Sequence, residues 1–164
     1  MKTKILLLII FLSLTIVSQE QKKDTTCRYI TNEIDDFTNK KVVKTDFYDL
    51  KSKKDFILIM LRNFDNKKSI VISINKDLGC ANPNKNDRSN VKIKLENGKI
   101  VSFFHYTDID CSNFTLIGKL SENDIKNLKS SPIQTIRFTG TKYYHDTKDL
   151  VYKDFFIDKL DCIK

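Results

Sequence analysis

The stretch VKIKLENGKIVSFFHY, residues 91–106, decides the reading of the fold. Val91, Ile93 and Leu95 alternate with Lys92, Lys94 and Glu96; Asn97-Gly98 follows, and Lys99 to Tyr106 resumes an extended apolar pattern. Period-two alternation belongs to a strand with one wet face, and Asn-Gly suits a two-residue type I′ turn, whose central residues both need positive φ. The stretch therefore reads as a β-hairpin. A two-residue turn pairs Glu96 with Lys99, Leu95 with Ile100, Ile93 with Ser102 and Val91 with Phe104, which gathers apolar side chains on one face. The other face carries Lys92, Lys94, Val101, Phe103 and His105, a mixture that calls for partial cover by another element.

Working outward, Arg28 to Ile34 and Lys41 to Leu50 read as strands about a turn at Asp36 to Lys40. Phe56 to Leu61 is six consecutive apolar residues, short for a helix, and reads as a central strand buried on both faces. Ile70, Ile72 and Ile74 alternate as in a strand with one wet face, and Asn63 to Lys68 makes the turn before it. Beyond the central hairpin, Thr115 to Leu120 is a strand leading into a helix capped by Ser121, with Glu122 and Asp124 in its first turn and Leu120 stapled to Ile125. Ser130-Ser131-Pro132 ends that helix, because the residue before proline avoids helical geometry. Ile133 to Thr139 is again a strand. From Thr147 on, Val151 with Phe155 and Tyr152 with Phe156, Leu160 and Ile163 recur at helical spacing, so a second, C-terminal helix is expected over the face carrying Val101 and Phe103. The expected fold is α+β: an antiparallel sheet of seven or eight strands, built of hairpins and packed against two helices.

Met1 to Ser18 opens with Lys2 and Lys4 and runs through an apolar core, the pattern of a secretory signal peptide. Residues 19–26 read as a polar lead-in and 27–164 as one domain. Cys27, Cys80, Cys111 and Cys162 all follow the signal, and four cysteines allow three pairings in an oxidising compartment. Cys80 precedes the hairpin and Cys111 follows it, while Cys27 and Cys162 lie near the two ends. That placement favours Cys80 with Cys111 and Cys27 with Cys162. No two cysteines stand at zinc-knuckle spacing.

The formal charge is +8, and the two lysines of the signal leave +6 on the rest. Only Arg28, Arg62, Arg88 and Arg137 are arginines, whereas nucleic-acid readers lean on the guanidinium fork for phosphate and guanine. The charge reads as solvation of a lysine-rich chain, and no nucleic acid is expected as a partner. Asn82, Asn84 and Asn86 imitate the first ligands of a calcium loop, but Asp87 stands where glycine is needed and Ile93 where a bidentate glutamate is needed. His105, Asp108 and Asp110 form the one compact ionisable cluster, a weak and distant candidate for a metal or hydrolase site, since Asp108 and Asp110 more simply solvate the turn before Cys111. His105 and His145 are the only histidines, and no nucleophile elbow, phosphate-cradling loop or His-Glu-x-x-His pattern occurs. No catalytic residue, metal or cofactor is therefore assigned.

Cys27-Arg28-Tyr29 with Asn32 to Thr38, the Asn97-Gly98 hairpin, Leu120-Ser121 with Ile125 and Leu128, Pro132-Ile133 to Arg137, and Phe156 with Leu160-Asp161-Cys162 resemble a recurrent, uncharacterised type of exported protein of Bacteroidetes-group bacteria. Asn39 replaces the glycine common there after Phe-Thr and can take the same left-handed turn. The resemblance implies location, periplasmic or secreted, and no activity. Asp24-Thr25-Thr26 resembles the O-glycosylation acceptor of such proteins, at Thr25. The expectation is an exported, non-catalytic module meeting a macromolecule through a loop or sheet edge. The alternative is a small-ligand carrier with a lipocalin-like barrel, against which the lack of tryptophan counts.

Overall fold

The computed structural model of the protein describes residues 25–84, 88–111 and 113–164. The expected export signal, Met1 to Ser18, as well as Asp24, Asn86 and Asp87, lies outside them. The described residues form ten strands and two short helices: β1 (Tyr29–Asp35), β2 (Lys40–Thr45), β3 (Tyr48–Asp49), β4 (Ile57–Phe64), β5 (Lys67–Ile74), β6 (Asn90–Leu95), β7 (Ile100–Phe104), β8 (Thr115–Lys119), α1 (Glu122–Leu128), β9 (Ile133–Thr139), β10 (Tyr144–Thr147), α2 (Phe155–Lys159) and a final 3-10 turn, Leu160–Ile163. All pairings are antiparallel, as expected. The strands are more numerous than expected and divide into two sheets, β1-β2-β4-β5-β8 with β3 beside β4, and β10-β9-β6-β7.

Two seams join the sheets. At one, His105 bridges Gly118, and Tyr106 N–H donates to Ile117 C=O. At the other, Ser52 bridges Leu150, and the N–H groups of Val151 and Tyr152 donate to Lys51 and Leu50. One apolar cluster draws on both sheets, with Val43, Ile59 and Ile72 from the first and Val91, Ile93, Ile136 and Phe138 from the second. Phe114 meets Phe138 edge-to-face at 6.3 Å within it.

The central hairpin exists, but its turn is not the two-residue one. Leu95 and Lys99 close a three-residue loop, Glu96-Asn97-Gly98, in which Gly98 alone has positive φ, +83°. This is a type I turn followed by a left-handed glycine. The register moves by one, to Lys94 with Ile100, Ile93 with Val101 and Val91 with Phe103. A one-residue slip exchanges the faces. Val101 and Phe103 therefore join Val91, Ile93 and Leu95 inside, while Ile100 and Phe104 turn out, 60% and 43% exposed. The cause lies at the tip. Glu96 N–H donates to Pro132 C=O, Asn97 N–H to Ser131 Oγ, and the Asn97 amide to Ser130 Oγ, so the loop is docked on the end of α1. The turn with two residues at positive φ sits instead at Asp65-Asn66, +50° and +64°, between β4 and β5.

The first helix starts as expected: Ser121 Oγ accepts from Asp124 N–H while the Asp124 carboxylate accepts from Ser121 N–H. The second is corrected. Thr147 ends β10, and the segment around Leu150 runs extended along Leu50 to Lys53, leaving a helix of five residues and the 3-10 turn. It does not cover Val101 and Phe103. It packs on the first sheet, where Phe155 meets Tyr48 at 5.5 Å and the Asn63 amide donates to Ile163 C=O. Burial along the two central strands is also exchanged. β4 alternates, with Ile57, Ile59 and Leu61 fully inside and Leu58 and Met60 half-buried. In β5, Ile70, Val71 and Ile72 are all buried.

Candidate functional site

The cysteines pair as Cys27–Cys162 and Cys80–Cys111, and among the described residues none is free. The first ties the entrance of β1 to the final turn. Near it Tyr48 lies within reach of two cations, Arg28 at 4.8 Å and the buried Lys159 at 5.1 Å from its ring centre. Lys159 Nζ also donates to Thr26 C=O. Thr25 is exposed.

His105, the centre of the weak metal candidate, is buried at the first seam. Its Nδ1 accepts from Ile117 N–H, so Nε2 carries the proton and donates to Asp108 C=O at 2.8 Å, with Thr107 Oγ1 at 3.1 Å. Both ring nitrogens are thus committed to the chain, and Asp108 takes part through its backbone. Asp110 also acts through its backbone, pairing with Ala81. The three residues are neighbours without converging side chains, and among the described residues no group of three metal-ligating side chains assembles.

The other histidine finds a partner ninety residues away in sequence. His145 Nε2 lies 2.9 Å from the Asp55 carboxylate, which also accepts from Thr147 Oγ1 at 2.6 Å and pairs with Lys76 at 3.3 Å. Asp55 is buried, and burial alone would raise its pKa; the hydrogen bonds from Thr147, His145 and Lys76 outweigh that and hold it below its ordinary value of 3.8. A carboxylate-held imidazole is one part of a general-base arrangement. Here the adjacent hydroxyl, Thr147, donates to the carboxylate and not to the imidazole. The knot stitches the turn before β4 and the end of β5 to β10. Beside it, Asn75, Lys76, Asp77, Gly79, Cys111, Asn113 and Phe114 line a polar cleft of about 230 Å³.

Exposed apolar side chains also gather on the β1–β2 ribbon, as Tyr143 and Tyr144 do at β10. β1 has no buried position. Among the described residues it pairs with β2 alone, which leaves its other edge open. Ile30 and Ile34 are 59% and 58% exposed and Phe37, at the tip, is fully exposed. The tip is held rigidly. Asp35 Oδ1 accepts from the N–H and hydroxyl of Thr38, both at 2.7 Å, Asn39 takes the left-handed conformation at φ +53°, and Lys40 pairs with Asp65 at 2.9 Å. β10 also ends its sheet and is shorter, and across the face of its pairing with β9 Arg137 makes a two-pronged pair to Asp146 and a stack on Tyr144. Comparison of the chain with family models, curated proteins and solved structures finds no match. What fold and site define is a class: a disulfide-linked, two-sheet α+β protein that carries one long open strand edge.

Proposed function

We propose that this chain is an exported, non-catalytic module of the periplasm or cell exterior that meets another macromolecule at the open edge of β1. The observation that carries this reading is a seven-residue edge strand with no buried position, bearing exposed Ile30, Ile34 and Phe37 on a ribbon fixed to the body. Unpaired edges are ready templates for an added strand, and proteins that do not use them blunt or cover them. Two disulfides belong with an oxidising compartment and so support export after the apolar Met1 to Ser18 segment. The exposed Thr25 is a candidate O-glycosylation acceptor beside the ribbon. A core filled by Phe103, Phe114, Phe138 and Phe155 supports a module over a small-ligand carrier. The commitment of both His105 nitrogens supports a non-catalytic reading over a metal or hydrolase site.

The test is amide hydrogen exchange on β1 in dilute protein, alone and with a cell-envelope fraction. Protection of the Asn32 and Ile34 amides by the fraction is expected. Unchanged exchange, or turnover that disappears in a His145→Ala variant, overturns the reading.

A further inference from the structure

We propose that the outer face of the second sheet, β10-β9-β6-β7, binds an acidic polysaccharide. This face is separate from the β1 edge. Among the described residues no helix covers it: α1 holds the tip of the central hairpin, and α2 packs on the first sheet. The strand register sets its outward side chains in rows. Tyr144, Thr139, Asn90 and Phe104 form one row across the four strands, and Asp146, Arg137, Lys92 and Ser102 form the next. Lys94 follows, between Thr135 and Ile100.

Charge is the first support. The charged side chains that these strands turn outward are Lys92, Lys94, Arg137 and a single carboxylate, Asp146, which Arg137 takes up. Lys92 and Lys94 stand about 7 Å apart along β6, exposed, and enter no ion pair among the described residues. Arg88 adds a further cation, and its guanidinium is already placed. Its Nε donates to His105 C=O at 3.0 Å, and the group lies 5.2 Å from the centre of the Phe104 ring. Both Nη nitrogens are left without a partner among the described residues. A guanidinium fixed in this way loses little freedom on taking a carboxylate or sulfate. The surplus of positive charge is complementary to a polyanion.

The side chains between the cations indicate which polyanion. Phe104 and Tyr144, 43% and 67% exposed, flank the face three strand spacings apart, roughly 14 Å. Between and below them lie hydroxyl and amide groups, on Thr139, Asn90, Ser102 and Thr135, all half-buried and so held in place. A polysaccharide matches all three features. Its acid groups meet the cations, its hydroxyls meet the Thr, Ser and Asn side chains, and the apolar faces of its rings meet the two aromatics. A lipid surface would leave those hydroxyl and amide groups unmatched. The preference over nucleic acid rests on the export proposed above.

Titration calorimetry of the disulfide-bonded protein with polygalacturonate, dextran, poly(dT) and phosphatidylglycerol vesicles tests this at about 50 mM salt, where surface charge is weakly screened. Polygalacturonate should bind more tightly than the other three, and its binding should fade towards ~0.5 M salt. Lys92→Glu with Lys94→Glu should weaken it about ten-fold, whereas Lys53→Glu with Lys54→Glu, an equal change of net charge before β4, should weaken it less than about two-fold. Phe104→Ala with Tyr144→Ala leaves the charge unchanged and should weaken it about five-fold. All six positions are exposed, so the variants should stay folded by circular dichroism. A wild type that does not bind, equal losses in the two lysine pairs, unchanged affinity in the aromatic pair, or tighter binding of poly(dT) or of the vesicles overturns the proposal. None of these outcomes bears on the β1 edge, which is decided by protection of the Asn32 and Ile34 amides.

Discussion

Asp55 and Asp154 show two carboxylates that their surroundings push in opposite directions. Asp55 is held below 3.8 despite burial, because Thr147, His145 and Lys76 all stabilise its charged form. A carboxyl whose folded pKa is depressed contributes stability that is fully present above its unfolded value and lost as pH falls through the folded one. Asp146, beside Arg137, and Asp161, beside Lys129 and Lys164, act in the same sense. Stability is therefore expected to decline below about pH 4, and in Asp55→Asn, which leaves three donors short of a charged acceptor, to drop by ~1–3 kcal/mol at neutral pH with a shallower acid limb. Chemical denaturation at several pH values measures both. Asp154 is the reverse case. Burial raises its pKa, with Asp158 and Glu96 adding to it, and its side chain makes no capping bond at the start of α2. Its charge is disfavoured once the pH exceeds its ordinary value, so Asp154→Asn should raise the melting temperature at neutral pH, with a gain that shrinks towards pH 3.

Among the elements, strands were legible because alternation is local, and the start of α1 was legible because Ser121 and Asp124 are three residues apart. The turn type of the central hairpin was not. Asn97-Gly98 fits both loops, and the choice is made by Ser130, Ser131 and Pro132, more than thirty residues downstream. The helical spacing after Thr147 misled for a related reason: backbone bonds to Lys51 and Leu50 hold Val151 and Tyr152 extended. Likewise no local pattern joins Asp55 to His145. Gly98→Ala should cost ~1 kcal/mol through its positive φ alone, since nothing lies within 4 Å of the added carbon. Asn66→Ala, at φ +64°, should cost a similar amount in the β4–β5 turn. Urea midpoints of the two variants check this.

For the molecule as a whole, the seams matter more than either sheet. At the first, an added carbon on Gly118 would lie 2.7 Å from Phe103 Cβ, close enough that the corner beneath His105 must shift. Gly118→Ala is expected to destabilise by ~1–3 kcal/mol, the range of core overpacking, measurable as a drop in denaturation midpoint. The disulfides constrain the unfolded chain over 135 and 31 residues. In the chain-entropy account these separations correspond to ~5 and ~4 kcal/mol, so Cys27→Ser with Cys162→Ser should destabilise more than Cys80→Ser with Cys111→Ser. Both pairs were readable from where the cysteines stand relative to the hairpin and the chain ends. The partition of the strands between two sheets was not, since it depends on where His105 and Ser52 cross over.

The bond between Cys27 and Cys162 also makes a ring of everything between them. A protease that nicks the ring once, for instance at the exposed lysines Lys51, Lys53 and Lys54, opens it without releasing a fragment. The cut protein should run intact on a non-reducing gel and fall into two pieces only when reductant is added. A nick between Cys80 and Cys111 is held twice over, by the inner loop and by the outer ring, so a chain living among proteases can be broken there and still keep its parts together.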